Sequence, residues 1–273
     1  MNKGQTIIKY AAIAFAVYLI CEIFLILANI IGLIGDGFKY KDKKVEIPQS
    51  EAYLVVNLAT SSLTIKEGDT FNYIINNKEI TAEKDNNKII IKEKGHFRSK
   101  KSEVIITIPR DMILNDAIID TGAGKINIEN LKAENFSLDI GAGNVQINNL
   151  VVTKNCDIDG GAGNIIINNG SIYNLDMDLG IGKTTITSIL TGENEIDTGV
   201  GKLELNLIGS QNDYTLDISK GIGSISLDGK DLKDEEKVGT GSSLVKIDGG
   251  VGSIEIKMKE EWKWRKKYYI YYY

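Results

Sequence analysis

Residues Ile119–Ile128 read IDTGAGKINI, and six further segments of the chain follow the same ten-residue pattern. If the first glycine of each G-x-G triplet is taken as an anchor, successive copies lie 19, 20, 19, 19, 22 and 29 residues apart. A near-constant period of this length is typical of solenoid proteins, in which each copy is one structural unit. The glycines predicted to form the turns are Gly122, Gly124, Gly141, Gly143, Gly161, Gly163, Gly180, Gly182, Gly199, Gly201, Gly221, Gly223, Gly250 and Gly252.

Apolar and polar residues alternate on both sides of each triplet. In the third copy Ile158, Ala162 (the middle residue of the triplet), Ile165 and Ile167 hold the apolar positions, and nearly all the other copies repeat these columns. This alternation predicts two short strands per copy, joined by a turn where glycine is favoured because it has no Cβ atom. Copies stacked in register would align their apolar columns into one core. We therefore predict an all-β fold, a parallel β-solenoid of about seven rungs of 19–20 residues, in preference to two long meandering sheets.

An apolar segment precedes the repeats. Residues 10–34 form a run of 25 residues with one charged side chain, Glu22, which is long enough for one transmembrane helix. The alternative is a cleaved signal peptide, but the run is long and no small-residue cleavage pattern follows it. We predict an uncleaved single-pass anchor. Glu22 either meets a partner in the membrane or is a protonated carboxyl tolerated by an apolar helix, and we favour the second interpretation.

The sequence predicts six regions along the chain. They are an N-terminal tail (1–9), the transmembrane anchor (10–34), a charged linker (35–46), a β-rich lead-in (47–115), the glycine-turn solenoid (116–257) and an aromatic and basic tail (258–273). The tail ends in EEWKWRKKYYIYYY, a composition that suits lipid headgroups or wall glycan. The same composition equally suits a last β-strand that covers the end of the solenoid. The sequence leaves both interpretations open.

The flanking charges bear on which side of the membrane the large domain occupies. Lys3 and Lys9 precede the apolar segment, whereas Lys39, Lys41, Lys43 and Lys44 follow it. Counted simply, these lysines favour a cytoplasmic domain, but long domains are translocated largely regardless of flanking charge. Because the short N-terminal tail is easily retained inside, we expect the C-terminal domain to be extracytoplasmic.

The composition excludes several classes of protein. A net charge of −5 is unsuited to a dedicated nucleic-acid binder. Two cysteines and one histidine are too few for a disulfide scaffold or a multi-histidine metal centre. Residues Gly180–Thr184 (GIGKT) resemble the end of a phosphate-binding loop, but Met177 stands where that loop needs glycine. We therefore expect no cofactor, no nucleotide and no nucleic acid.

A column of carboxylates lies two residues before the anchor glycines. Its members are Asp120, Asp139, Asp159, Asp178, Asp197 and Asp248, and Ser219 replaces them in the sixth copy. Such a column invites a cation such as Ca²⁺, or each aspartate caps the N–H groups of its own turn. Calcium-binding nonapeptide repeats supply a second carboxylate where this chain has Ile126, Val145 or Ile165. We favour turn capping and keep the six aspartates as weak metal candidates.

Catalysis receives little support from the sequence. Polysaccharide-acting β-helices use paired carboxylates or a carboxylate–arginine cluster on one exposed face. Arg98, Arg110 and Arg265 all lie outside the repeats proper, and the aspartate column is uniform. Cys156 shares an apolar column with Phe136, and this column predicts that its side chain lies in the core. We expect no catalytic residues and keep an enzyme acting on surface polysaccharide as the alternative.

The order of segments resembles a known family. An apolar helix, a charged linker and a β-rich lead-in ending in VIITIPRD (Val104–Asp111) precede repeated D-x-G-x-G-x-I-x-I units. This order is similar to the bacterial "putative adhesin" family of membrane-associated β-strand-repeat domains of unknown function, over residues 45–257. The resemblance implies an outward-facing envelope protein engaged in adhesion or envelope-stress signalling, with another envelope protein or a surface glycan as its partner.

Overall fold

The structure, a computed structural model, describes residues 41–44, 51–94, 102–219 and 221–259. The chain divides into two units, Met1–Lys39 and Tyr40–Tyr273, and all described residues belong to the second. Within the described residues the regular structure is β apart from one 3₁₀ turn at Gln211–Asp213. The all-β prediction is confirmed.

Eighteen strands form one large, mostly parallel sheet that closes around a common core. In chain order they are β1 (Lys41–Lys44), β2 (Ala52–Leu58), β3 (Ser62–Gly68), β4 (Asn72–Ile75), β5 (Ile80–Asp85), β6 (Lys88–Glu93), β7 (Glu103–Pro109), β8 (Leu114–Ile128), β9 (Leu131–Ile147), β10 (Leu150–Ile167), β11 (Gly170–Tyr173), β12 (Leu175–Thr191), β13 (Glu193–Ile208), β14 (Tyr214–Ser219), β15 (Ile222–Leu227), β16 (Lys230–Asp231), β17 (Glu236–Val238) and β18 (Ser243–Lys259).

Each glycine repeat forms one rung of a parallel stack. Six copies are single strands of 15 to 18 residues, namely β8, β9, β10, β12, β13 and β18. The sixth copy in the chain is divided between β14 and β15. Equivalent positions pair across every boundary, as Asp139 with Asp159 and Gly143 with Gly163, because a slip of one residue would turn every apolar side chain outward.

The last two copies do not stack in chain order. The seventh copy, β18, pairs with β13 along its length. The sixth copy pairs with the other edge of β18, through β14 and β15. The final strand of the described chain is therefore an internal rung, and the copy made before it is the outermost one.

The lead-in shows the same exchange at the other end of the stack. Strands β2 and β3 pair in parallel with β8 and so make the rung before the first glycine repeat. The later strands β6 and β7 pair with the far edges of β2 and β3. The earlier rung of the lead-in is thus enclosed between two later ones.

Antiparallel strands cover part of both ends of the stack. Strands β5 and β4 pair with β6 and β7 at the amino-terminal end, and β1 pairs with β4. Strands β17 and β16 pair with β14 and β15 at the other end. Because exposed strand edges template aggregation, these short strands protect the ends. The sequence offered the tail at 258–273 as a cover for the end of the stack, but strands β16 and β17, in the segment before β18, cover part of that end. Residues 260–273 lie outside the described residues.

The rung formed by β2 and β3 has no glycine triplet at its turn. Its place is taken by Ala59, Thr60 and Ser61, whose N–H groups donate to one carboxylate oxygen of Glu93 at 2.7, 2.9 and 3.1 Å. The Ser61 hydroxyl donates to the other oxygen at 2.7 Å. In the following rung the corresponding amide of Ala123 donates to the carbonyl of Ala59 at 2.9 Å. Glu93 therefore supplies the acceptor that a preceding rung would provide.

The apolar columns form the core, as the alternation predicts. The column three residues before the anchor is at most 1 % exposed in every copy. Its members are Ile119, Leu138, Ile158, Met177, Ile196, Ile247 and Ile218, in stacking order. Burying one such side chain contributes about 1.5–3 kcal/mol, so the stack has one continuous stabilising core.

The second glycine of the triplet is required for two separate reasons. At Gly143, Gly163, Gly182, Gly201, Gly252 and Gly223 the φ angle lies between 140° and 154°, where residues with a Cβ atom are strained. A Cβ atom at each of these positions would also overlap the backbone carbonyl of the equivalent glycine in the adjacent rung. The close approach of neighbouring turns thus explains why the triplet recurs.

No helix among the described residues has the length and apolar character needed to cross a membrane. The predicted anchor at residues 10–34, the tail at 1–9 and Glu22 lie outside the described residues, as do most of the linker and the single histidine, His96.

Candidate functional site

The six predicted aspartates form one unbroken ladder across the sheet. Each is the direct partner of the next in the parallel register, in the order Asp120, Asp139, Asp159, Asp178, Asp197 and Asp248. Asn57 pairs with the first member, and Ser219 pairs with the last. Both ends of the ladder are therefore uncharged, and the exceptional serine of the sixth copy is the terminal position rather than an interruption.

The predicted turn caps are not formed. Among the described residues, no N–H group of a glycine turn donates to a ladder carboxylate. The amide of Ala123 bonds to the adjacent rung instead, and the amide of Gly250 donates to the Thr198 hydroxyl at 3.1 Å. Because other groups accept from these two turn amides, the ladder carboxylates do not serve as their caps: Asp120, Asp139, Asp159 and Asp178 are exposed, whereas Asp197 is half-buried and one of its carboxylate oxygens has no hydrogen-bond partner within the described part of the chain.

A second row of carboxylates runs beside the ladder. Asp157, Asp176 and Glu195 are direct partners on three adjacent rungs and are exposed. We refer to the second row and the four ladder members Asp139, Asp159, Asp178 and Asp197 as the acidic face, which comprises Asp139, Asp157, Asp159, Asp176, Asp178, Glu195 and Asp197. Adjacent strands lie about 4.8 Å apart, so like charges on this face repel one another.

That repulsion is reflected in the pKa values. Partial desolvation, followed by the charges of Asp157 and Asp178, raises the pKa of Asp159. Desolvation and Asp157 raise the pKa of Asp176 in the same way. Desolvation and Asp248 raise the pKa of Asp197. The fold therefore holds these carboxylates in positions where their charge is disfavoured, which indicates a surface suited to a positively charged group.

One end of the acidic face already holds a cation. Glu195, Asp197 and Asp248 each place a carboxylate oxygen within 4.8 Å of the others. The ammonium of Lys246 lies 2.5 Å from Glu195 and 2.9 Å from Asp248. Two of the six metal candidates, Asp197 and Asp248, thus meet Glu195, a third carboxylate outside the predicted column, and Lys246 offsets part of the negative charge of this cluster.

The sheet face on the other side of the glycine turns has paired charges. The Lys183 ammonium lies 2.9 Å from Glu204, and Lys202 lies 2.6 Å from Glu204 and 3.0 Å from Glu255. Hydrogen bonds from Lys202 and Lys183 lower the pKa of Glu204 to about 2. Asparagine side chains also bond from rung to rung, as Asn164 does to Asn144 at 3.0 Å. Charge is balanced here and unbalanced on the acidic face.

An exposed apolar row crosses the glycine turns of the last four rungs. It consists of Ile181, Val200, Val251 and Ile222, which are 42 %, 47 %, 47 % and 73 % exposed. They are direct neighbours in the register, and we call this row the crest. The sequence pattern places the middle residue of each triplet among the apolar columns, but the bend of the turn directs these four side chains to solvent. The feature of the sequence that could have revealed this exposed row is a branched apolar side chain between the two glycines of a turn.

A groove of about 730 Å³ lies where the rungs of the acidic face begin. Its lining includes Asp157, Asp176 and Glu195 together with Tyr173, which is 43 % exposed. The tyrosine ring lies against the backbone of Gly192, where an added Cβ would be 3.2 Å from ring carbons. The groove thus combines an exposed aromatic ring with carboxylates on three adjacent rungs.

Two other sequence candidates have structural positions. Cys156 is 1 % exposed and stacks between Phe136 and Leu175, and burial raises the pKa of its thiol. Such a thiol is unsuited to nucleophilic attack. The GIGKT segment lies within β12 as strand, turn and strand, whereas a phosphate-binding loop of that type precedes a helix.

Comparisons with known proteins give one family match and several similar solved structures. The family model described as Toastrack DUF4097 matches residues 38–266. A comparison with curated proteins gives no match. Among solved structures, a putative cell adhesion protein from Clostridium sporogenes ATCC 15579 is 16 % identical, with 82 % of this chain and 100 % of that chain covered and a TM-score of 0.35. A putative adhesin from Bacteroides fragilis NCTC 9343 is 13 % identical, with 81 % and 98 % covered and a TM-score of 0.36. A putative adhesin from Parabacteroides merdae ATCC 43184 is 11 % identical, with 81 % and 97 % covered and a TM-score of 0.41.

Proposed function

The chain belongs to the Toastrack DUF4097 family, and from this premise we propose that it is a non-catalytic, membrane-anchored envelope protein of the adhesin type. In this proposal residues 10–34 are the single-pass anchor, and the stack of rungs lies outside the cell as an interaction surface. The partner is another envelope protein that presents a cationic segment, with a surface glycan as the other candidate.

The observation that carries the proposal is the contrast between the two faces of the sheet. The acidic face gathers seven carboxylates on four rungs, and three of them have raised pKa values. The opposite face pairs its lysines with glutamates. Surplus charge of one sign steers and orients a partner of the other sign. A rigid parallel stack fixes these charges at regular spacing, which favours recognition of an extended partner.

Binding is tested by capturing partners from native membranes with the full chain. The triple variant Asp157→Asn, Asp159→Asn, Asp176→Asn should lose the captured envelope protein, and added salt should weaken capture by the parent chain. The matched control neutralises three exposed carboxylates elsewhere, Glu83→Gln, Asp85→Asn and Asp231→Asn. Equal capture by both triple variants would refute the acidic face as the binding surface.

Sidedness is tested separately by cysteine labelling. With Cys21→Ser and Cys156→Val in place, Lys233→Cys puts one thiol in the exposed loop before β17. We expect a membrane-impermeant maleimide to label this thiol on intact cells. Labelling only after lysis would place the domain in the cytoplasm and overturn the proposed topology, whatever the result of the capture experiment.

The groove around Tyr173 favours a second candidate, an enzyme that acts on surface polysaccharide. An exposed tyrosine ring can stack on a sugar, and carboxylates are the groups that glycoside cleavage requires. Assays of the purified chain on cell-envelope polysaccharides decide between the two functions. Turnover that is lost in Asp176→Asn but retained in Asp231→Asn would replace the non-catalytic proposal.

A further inference from the structure

The crest has no role in the fold. Its four side chains are 42 % to 73 % exposed and form a continuous line on the outside of the turns. At about 4.8 Å per rung the line is roughly 14 Å long. Contiguous exposed apolar residues mark a docking surface more often than isolated ones do. The same position is Ala123, Ala142 and Ala162 in the first three repeats, so the apolar line is confined to one end of the stack.

A groove runs along the acidic-face side of the glycine turns of β9, β10, β12 and β13, and it lies beside the first two crest residues, Ile181 and Val200. Its volume is about 620 Å³. The floor contains the first glycines of the triplets, such as Gly161, Gly180 and Gly199, and the wall contains Asp159, Asp178 and Asp197. Because the glycines carry no side chains, the floor is low between the crest and the aspartates. A row of side chains from outside has room to lie there.

We propose that a second copy of this chain docks on the crest, with the two stacks parallel and related by a two-fold axis along the stacking direction. Rotation about such an axis leaves every rung at its own height and exchanges the two sides of the crest. Ile181 and Val200 of one copy then lie in the groove of the other, Val251 and Ile222 meet their own counterparts beyond its end, and the fit is reciprocal. A two-fold interface requires this kind of self-complementary surface.

The charges select this arrangement over an antiparallel one. Lys183 and Lys202 lie two residues after Ile181 and Val200, on the side of the crest away from the groove. In the parallel pair these lysines, which within their own copy contact Glu204, face the Asp178 and Asp197 row of the other copy. An antiparallel pair brings the two aspartate rows together, where like charges repel. The same aspartate row disfavours docking of the crest on an anionic lipid surface.

Disulfide mapping tests the arrangement in the full chain in its own membrane. Cys21→Ser and Cys156→Val form the background, and single cysteines replace Val200, Ile181 or Ile222 in separate chains. Under mild oxidation each of the three should give a covalent dimer, because a parallel two-fold pair brings identical crest residues together. The matched control is Ile113→Cys, at an apolar position that is 49 % exposed and outside the crest, and it should give at least about tenfold less dimer.

Two outcomes of the mapping would overturn the proposal. One is dimer yield at Val200→Cys no higher than at Ile113→Cys. The other is a dimer that forms between Ile181→Cys and Ile222→Cys chains when the two are mixed, but not within either alone, since that result indicates an antiparallel pair. If the first outcome occurs and the crest cysteines are also shielded from a water-soluble maleimide, a lipid surface or another protein covers the crest in place of a second copy.

A charge exchange gives a second, independent measurement. Lys183→Glu should lower the yield of the Val200→Cys dimer about tenfold or more, because two acidic groups then face each other across the interface. Adding Asp178→Lys to the same chain restores the opposite pairing at the same height and should recover the dimer. Since Lys183 also contacts Glu204, a loss caused by local damage would not be rescued. Failure of the rescue, with the chain still folded, contradicts the parallel arrangement.

Discussion

Replacing Gly182 by alanine tests the physical account of the turns most directly. Gly182 has a φ of 150°, and an added Cβ would overlap the carbonyl of Gly163 in the adjacent rung. Strain at such a φ costs about 1–3 kcal/mol. Relieving the overlap separates the two rungs and breaks or bends backbone hydrogen bonds between them. Each buried backbone group that loses its partner costs a further ~1–3 kcal/mol. We expect Gly182→Ala to lower the free energy of unfolding by about 4 kcal/mol.

Two further glycines separate the contributions to this cost. Gly229 has a φ of 77° with nothing within 4 Å of an added Cβ, so Gly229→Ala reports backbone strain alone. Gly122 has no positive φ, but its Cβ would be 2.8 Å from the carbonyl oxygen of Ala59, so Gly122→Ala reports crowding alone. Each should cost about 1–2 kcal/mol. Denaturant unfolding followed by far-ultraviolet circular dichroism measures all three. A cost for Gly182→Ala no larger than for Gly229→Ala would refute close rung approach as the reason for the triplet.

Three other predictions concern stability. As the pH falls from neutrality the thermal midpoint should rise, because the aspartates with raised pKa bind protons more readily in the folded state than in the unfolded state. Below pH 4.5, the ordinary pKa of Glu204, the midpoint should fall again, because the pKa of Glu204 is lowered to about 2 in the fold and the unfolded state then binds the proton more readily. A steady decline from neutrality would contradict the repulsion described for the acidic face. Glu93→Ala should cost about 2–4 kcal/mol in denaturant unfolding because three backbone donors lose their acceptor, whereas exposed Glu83→Ala should cost under about 0.5 kcal/mol; equal costs would refute the capping role. Ile158→Ala should cost about 2–5 kcal/mol and Ile158→Val about 0.5–1.5 kcal/mol in the same assay, and similar costs for both would mean that the core column relaxes around the cavity.

The sequence is sufficient for the register of the stack but not for its order. Alternation on both sides of each triplet fixes which residues face inward, so the core column through Ile158 and the aspartate ladder follow directly. The sixth and seventh copies carry the same columns, and either one fits against β13. Ser219 distinguishes them at the ladder, because an uncharged residue is suited to the end of a row of like charges, and Glu255 of the seventh copy pairs with Lys202 where the sixth copy has Ser226. That reason becomes visible once the ladder is seen.

The turns are where sequence reasoning is weakest. The period of two does not continue through a bend, so Val200 was grouped with apolar columns although it points outward. The predicted caps fail for a related reason. A single copy cannot reveal that the amide of Ala123 finds the carbonyl of Ala59 on the adjacent rung. Contacts between copies decide both features, and those contacts depend on how closely the rungs approach.

The exchanged order of the end rungs has a mechanical consequence. A chain pulled from its carboxyl end must draw β18 out from between β13 and the pair β14 and β15, which breaks two ladders of hydrogen bonds together. At the amino end β1 peels from a single neighbour, but β2 is then gripped between β6 and β8. Tension applied to either terminus therefore meets an interior strand, and the stack resists unravelling from its ends.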